Sequence, residues 1–128
     1  MFLTMQPLLR RYGLNLPNHE ARHAAGYLGT DPKTHAPVLV LVVHWREITG
    51  YDAIEGRVDG WPGWSSRENA ADLANALAGA HLARLPVHVY WGMQPPLGES
   101  IRFPDRPALG RVTHWDSTTT DYRIEVRA

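Results

Sequence analysis

His19-Glu20-Ala21-Arg22-His23 is the run in this chain whose residue types and spacing match a known chemistry. On a helix, His-Glu-x-x-His sets two imidazoles one turn apart with a carboxylate beside them, which is how a zinc ion and a general base are held together. In that reading His19 and His23 bind Zn²⁺, and a water in the open coordination position loses its proton to Glu20 as it attacks a carbonyl. The chain has no Cys, so a transition metal must be held by His and carboxylate alone. A third ligand is needed. Asp72 and His81, on a later helix, are the leading candidates, with Glu68, His114 and Asp116 behind them. The competing reading is an ordinary capped helix, because Glu20 is what any helix N-terminus prefers and a cation at His19 faces the positive end of the dipole.

The elements that would position these residues can be read in order. Thr4 is a good N-cap, Met5, Leu8, Leu9 and Tyr12 share one helical face, and Gly13 ends the helix. Asn18 and Gly29 bracket a second helical pattern, with Ala21, Ala24, Ala25 and Leu28 at i, i+3, i+4 and i+7. This predicts a helix over 18–29 that carries the motif. Asp31-Pro32 opens a turn. Residues 37–45 read as a strand apolar on both faces and therefore central. Residues 53–58 read as its antiparallel partner, with Ile54 and Val58 on one face. Ser65-x-x-Glu68 is a capping box for a helix running to about Arg84. Its broad face holds Ala70, Leu73, Ala74, Leu77, Ala78, His81 and Leu82. Residues 86–91 form a second apolar strand, a proline-rich loop follows with a short strand near 101–103, and 111–115 with 122–127 form a closing hairpin. The expected architecture is a single α+β domain over 1–128: an antiparallel or mixed sheet with two or three helices packed on it.

The fuller run His19-Glu-Ala-Arg-His-Ala24 resembles the zinc helix of the peptidase domain of membrane-bound AAA+ proteases, with Arg22 where that family commonly has Gly. The resemblance is specific over six residues and extends as a pattern of elements over 18–84. It implies a zinc-dependent, peptidase-like hydrolase or an inactive relative. If 19–28 were a strand instead, residues 4–83 would run α-β-β-β-α and resemble a double-stranded RNA-binding domain. The helical period argues against this, and Ser65-Ser66-Arg67-Glu68 lacks that family's basic cluster.

Composition leaves two other classes open. The 13 basic and 13 acidic residues cancel, so charge alone does not drive general nucleic-acid binding. Trp61, Trp64 and Trp91 flank the long helix and read either as anchors for a peptide or protein partner or as a lid on the core. The first option describes a non-catalytic interaction module, such as a small inhibitor, adaptor or assembly factor of a phage or mobile element. Arg111, Trp115, Arg123 and Arg127 could make a basic, aromatic face on the last hairpin for nucleic acid, or a plain solvated edge. His44 and His88 sit on the two apolar strands and read as a second cluster or as satisfied sheet-margin histidines. No run is long enough to span a bilayer and the start lacks a leader pattern, which makes the cytosol the expected compartment.

Overall fold

β3 (Pro37–Val43) organises the molecule, and its sequence explains why. Val38 to Val43 is an unbroken apolar, mostly β-branched run, which suits a strand that is covered on both sides. The computed structural model describes residues 2–14, 25–45, 48, 50–58 and 67–127. In it Val38, Val40 and Val42 face one core cluster and Leu39, Leu41 and Val43 face another. On one side of β3 lies β2 (Ala25–Thr30), antiparallel; on the other lies β5 (Pro86–Trp91), parallel. β7 (Ala108–Trp115), β8 (Asp121–Arg127) and β4 (Ala53–Arg57) complete a six-stranded mixed sheet in the order β2-β3-β5-β7-β8-β4. A parallel neighbour needs a long crossover, and the segment from 44 to 85, which carries β4 and the helix α2 (Arg67–Ala83), supplies it.

The expected α+β class forms, and of the antiparallel or mixed sheet with two or three helices the described residues show a mixed sheet and two helices. α2 covers one face through Leu73, Ala76, Leu77 and Ala80. Small alanines let it settle low on the sheet, and Gly26 on β2 deepens that seat. A Cβ at Gly26 would stand 2.6 Å from Leu73 Cδ1 and 3.0 Å from Leu41 Cδ2. The other face is packed by α1 (Met5–Arg10) and a two-stranded ribbon of β1 (Phe2–Leu3) and β6 (Phe103–Pro104). Met5, Leu8, Leu9 and Tyr12 are buried there as the helical period predicts, and Gly13 ends the turn at φ +75°.

Three expectations are corrected. The helix over 18–29 does not form in its second half: Ala25–Thr30 is an edge strand. The i, i+3, i+4 spacing of alanines fits a helix on paper, but Gly26, Gly29 and Thr30 are poor helix formers, and β3 presents an apolar edge for pairing. β4 does not pair with β3. Both edges of β3 are taken, and β4 pairs with β8 at the far side of the sheet, Ile54 opposite Ile124. The chain therefore does run α1-β2-β3-β4-α2, yet the connectivity departs from a three-strand meander, and the double-stranded RNA-binding resemblance ends there. On α2, His81 and Leu82 lie outside the buried stripe, Leu82 being 87% exposed.

Candidate functional site

The polar groups that converge in this fold lie under α1, on β5. Strand alternation sends Val87, Val89 and Trp91 towards α2 and His88 and Tyr90 towards α1. Tyr12 reaches them from the end of α1. Its backbone is fixed by Thr30, whose N–H donates to the Tyr12 carbonyl at 2.9 Å. Gly29 makes room for this contact, since a Cβ there would stand 2.9 Å from both Tyr12 Cβ and its carbonyl oxygen. Gly29 thus works as a close-approach residue of a strand, not as a helix stop. The Tyr12 hydroxyl lies 2.8 Å from His88 Nδ1 and 2.5 Å from the Tyr90 hydroxyl. The other imidazole nitrogen, Nε2, faces Asp31 Oδ2 at 3.8 Å.

Asp31 is held by the β2–β3 turn. Its Oδ1 accepts the Lys33 N–H at 2.8 Å, its backbone N–H donates to the Ala36 carbonyl, and its carbonyl accepts the His35 N–H. The turn expected at Asp31-Pro32 is therefore present, and its aspartate also faces the histidine. The Lys33 N–H, and then the Thr34 N–H and the His88 charge, keep the Asp31 carboxyl below its ordinary range against an opposing burial effect. Burial pushes the His88 imidazole down, with Asp31 pulling it up and Lys33 adding to the fall. Burial drives both tyrosines up, the Tyr90 hydroxyl reinforcing it for Tyr12. At neutral pH this gives two un-ionised phenols and a neutral imidazole.

The chain of hydroxyls can point either way. With the proton on Nε2, Tyr90 donates to Tyr12, Tyr12 donates to Nδ1, and Nε2–H faces the Asp31 carboxylate. With the proton on Nδ1, the direction reverses and the Tyr90 hydroxyl hydrogen is released. These groups open into a cavity of about 530 Å³. Arg11, Lys33 and Arg106 stand at its rim beside Asp105 and the exposed Leu109. The Arg11 Nη1 donates to the Asp105 carbonyl at 3.0 Å.

Sequence reasoning placed other residues at the centre, and the structure redistributes them. His19, Glu20 and His23 lie outside the described residues, as do Trp61 and Trp64. Among the described residues no three His, Asp or Glu side chains come together as a metal centre would require. Asp72 and His81 are exposed on α2, away from any such partner. This overturns the zinc-dependent hydrolase. Its physical basis was a helix across the motif, and a strand occupies that helix's second half.

The Arg/Trp face of the last hairpin does not assemble either. A register shift between Val112 and His114 turns Trp115 inward against the core under α2. Arg123 lies between Glu55 at 2.6 Å and Glu125 at 3.6 Å, and Arg111 donates to the Arg84 carbonyl. Arg127 is exposed at the end of β8. The result is an outer face of alternating sign. His44 does not join His88. In the parallel register His88 is level with Val40, whereas His44 lies beyond Val43 and stacks on Trp45. Trp91 packs partly into the core under α2 and meets the Tyr51 ring edge-on.

Tyr12, Asp31 and Tyr90 were missed as site residues. The signal was there in part: His88 and Tyr90 stand two apart in an apolar strand, so they share a face and need partners. No family model, curated protein or solved structure matches the chain.

Proposed function

We propose that the chain is a binding module whose cavity captures an anionic group, a carboxylate or phosphate, presented by a peptide or protein partner or by a small molecule. The observation that carries this reading is the rim of Arg11, Lys33 and Arg106 over a floor of neutral hydrogen-bonding groups, Tyr12, His88 and Tyr90. The three cations outnumber Asp31 and Asp105, and the Asp31 charge is already met by its own turn. An anion at the Tyr90 end selects the arrangement in which the phenol hydrogen points to it. The volume is that of an ordinary small-ligand pocket. Binding is favoured over nucleophilic chemistry, because tyrosines driven upward in pKa are poor nucleophiles and good neutral donors. Among the described residues no helix is long and apolar enough to cross a membrane.

The test is titration of the isotope-labelled protein with inorganic phosphate, acetate and a short peptide with a free C-terminal carboxylate, the amidated peptide as control. Saturable shifts at His88 and Lys33 are expected with at least one of them. Lys33→Ala with Arg106→Ala, both on the exposed rim, should weaken binding about tenfold or more. A peptide bound no better than its amidated form, with no saturation by either free anion, would sink the reading.

A further inference from the structure

A second cavity, of about 520 Å³, opens at the other end of β5, beside the β3–β4 connection. Three aromatic residues, Trp45, Tyr51 and Trp91, line it together with polar backbone and Gln94. Trp91 and Tyr51 meet edge to face, ring centroids 5.1 Å apart and planes at 79°, so they form a right-angled corner. Ile48 and Met93 also line the cavity. Among the described residues no charged side chain is part of its lining. One carboxylate stands next to it. Asp52 Oδ1 lies 3.3 Å from where a Cβ on the lining residue Gly50 would be, and Asp52 itself is exposed. Tyr51 is 65% exposed, an unusual cost for so large a ring, and it is set where it shields Trp91 without being buried itself.

These features share a ligand chemistry. In this edge-to-face pair one ring turns its edge to the other and keeps its own electron-rich face open to the angle between them, and a cation placed there is attracted by that open face. A compact, strongly hydrated ammonium gains less from such rings, because an aromatic face does not replace the hydrogen bonds of its water. A trimethylammonium group carries its charge on an apolar surface, so it meets the rings at little desolvation cost, with the Asp52 carboxylate adding long-range attraction at the mouth. We infer that the corner of Trp45, Tyr51 and Trp91 is a binding site for a trimethylammonium group. Two sources carry that group, a choline-type small molecule and a trimethylated lysine side chain, and the site recognises what they share.

The experiment follows intrinsic tryptophan fluorescence and backbone amide shifts during titration with choline, phosphocholine, a trimethyllysine peptide and its unmethylated form. The neutral isostere 3,3-dimethyl-1-butanol, which has the same shape without the charge, is the control. At least one trimethylammonium compound is expected to saturate at Trp91 and Tyr51, about fivefold or more tighter than its control, be that the isostere or the unmethylated peptide. The tighter arm identifies the source. Tyr51→Ala removes an exposed ring, so it keeps the fold, and it should weaken binding about tenfold. Asp52→Asn should weaken it about twofold and remove most of its salt dependence. Equal binding of the neutral isostere and of choline, unaltered affinity in Tyr51→Ala, or saturation by a sugar with none by any trimethylammonium compound would overturn the inference.

Discussion

The sharpest consequence of the hydroxyl chain concerns stability, because Tyr12 is its shared member. Tyr12→Phe keeps the ring that packs in the α1-side core and deletes one oxygen atom. That oxygen serves two partners, His88 Nδ1 at 2.8 Å and the Tyr90 hydroxyl at 2.5 Å. Tyr90 is 2% exposed, so its hydroxyl, at the floor of the cavity, loses its protein partner with little water to replace it. An orphaned buried hydroxyl costs about 1–3 kcal/mol. The His88 side chain is 12% exposed, which lets water reach Nδ1 in part and puts its loss at the low end. Together the expected destabilisation is about 2–4 kcal/mol, a large fraction of the roughly 5–15 kcal/mol that holds a domain of this size. Tyr90→Phe is milder. Tyr12 keeps His88 as a partner, and one neutral bond is lost, worth about 1 kcal/mol. The double variant decides the matter. It removes the orphan that Tyr12→Phe creates, so it should be less destabilised than the sum of the singles by about 1–2 kcal/mol. Urea unfolding of all four proteins at about pH 7.5, followed by far-UV circular dichroism, measures the cycle. Additive losses, with no coupling beyond about 0.3 kcal/mol, would refute the shared-oxygen argument.

Four further expectations can be checked by the same unfolding assay. Gly26→Ala should cost about 1–3 kcal/mol, because its Cβ would meet Leu73 Cδ1 at 2.6 Å, and adding Leu73→Ala should make the pair less than additive; an unchanged midpoint for Gly26→Ala would show that α2 is not seated there. His88 is held below its ordinary pKa by burial, so the unfolded chain takes up the proton first: stability is complete above the unfolded value of about 6.5 and falls as pH drops from there to the lowered folded value, a slope that His88→Gln should flatten. The Asp31 contribution is also present above the unfolded value but is lost only as pH falls below about 4, so the two windows separate. Arg84 ends α2 at φ +53°, with the Leu85 N–H reaching back to the Ala80 carbonyl, so Arg84→Gly should stabilise by up to about 1 kcal/mol while keeping the carbonyl that Arg111 contacts; a loss of stability would mean that the Arg84 side chain matters more than its backbone strain.

Much of the framework was legible because its signals were redundant. β3 is apolar at every position after Pro37, so no other role fits it, and the closing hairpin carries a clean alternation at Tyr122, Ile124 and Val126. α1 and α2 were readable from period and stops, with the buried stripe of α2 shifted to Leu73, Ala76, Leu77 and Ala80. Residues 25–30 were not readable, because Ala25 and Leu28 continue the helical spacing that Ala21 and Ala24 begin. What decides the matter is tertiary: β3 needs an edge partner, and Gly26 and Gly29 admit a side chain from α2 and a backbone from α1. The placement of β4 was invisible for a similar reason, since sequence proximity to β3 says nothing about which ladder has a free edge. The candidate site was missed because its members come from α1, a turn and β5, and only the parallel register of β3 and β5 brings them level.

That register makes a final, testable point about the two cavities. β5 floors both of them: His88 and Tyr90 on the α1 side, Trp91 on the α2 side. Two residues separate His88 from Trp91, a rise of about 10 Å along a strand, and the two lie on opposite faces. Ligand-induced changes at one cavity therefore have no shared side chain through which to reach the other. Lys33→Ala with Arg106→Ala should leave trimethylammonium binding at Tyr51 unchanged, and Tyr51→Ala should leave oxyanion shifts at His88 unchanged. A one-residue slip of β5 would be different, since it would turn His88 into the α2 core and Trp91 out of its corner, destroying both at once. Simultaneous loss in a surface variant, with the far-UV spectrum intact, would mean that the sites are coupled through β5 itself, and the independence argued from strand parity would be wrong.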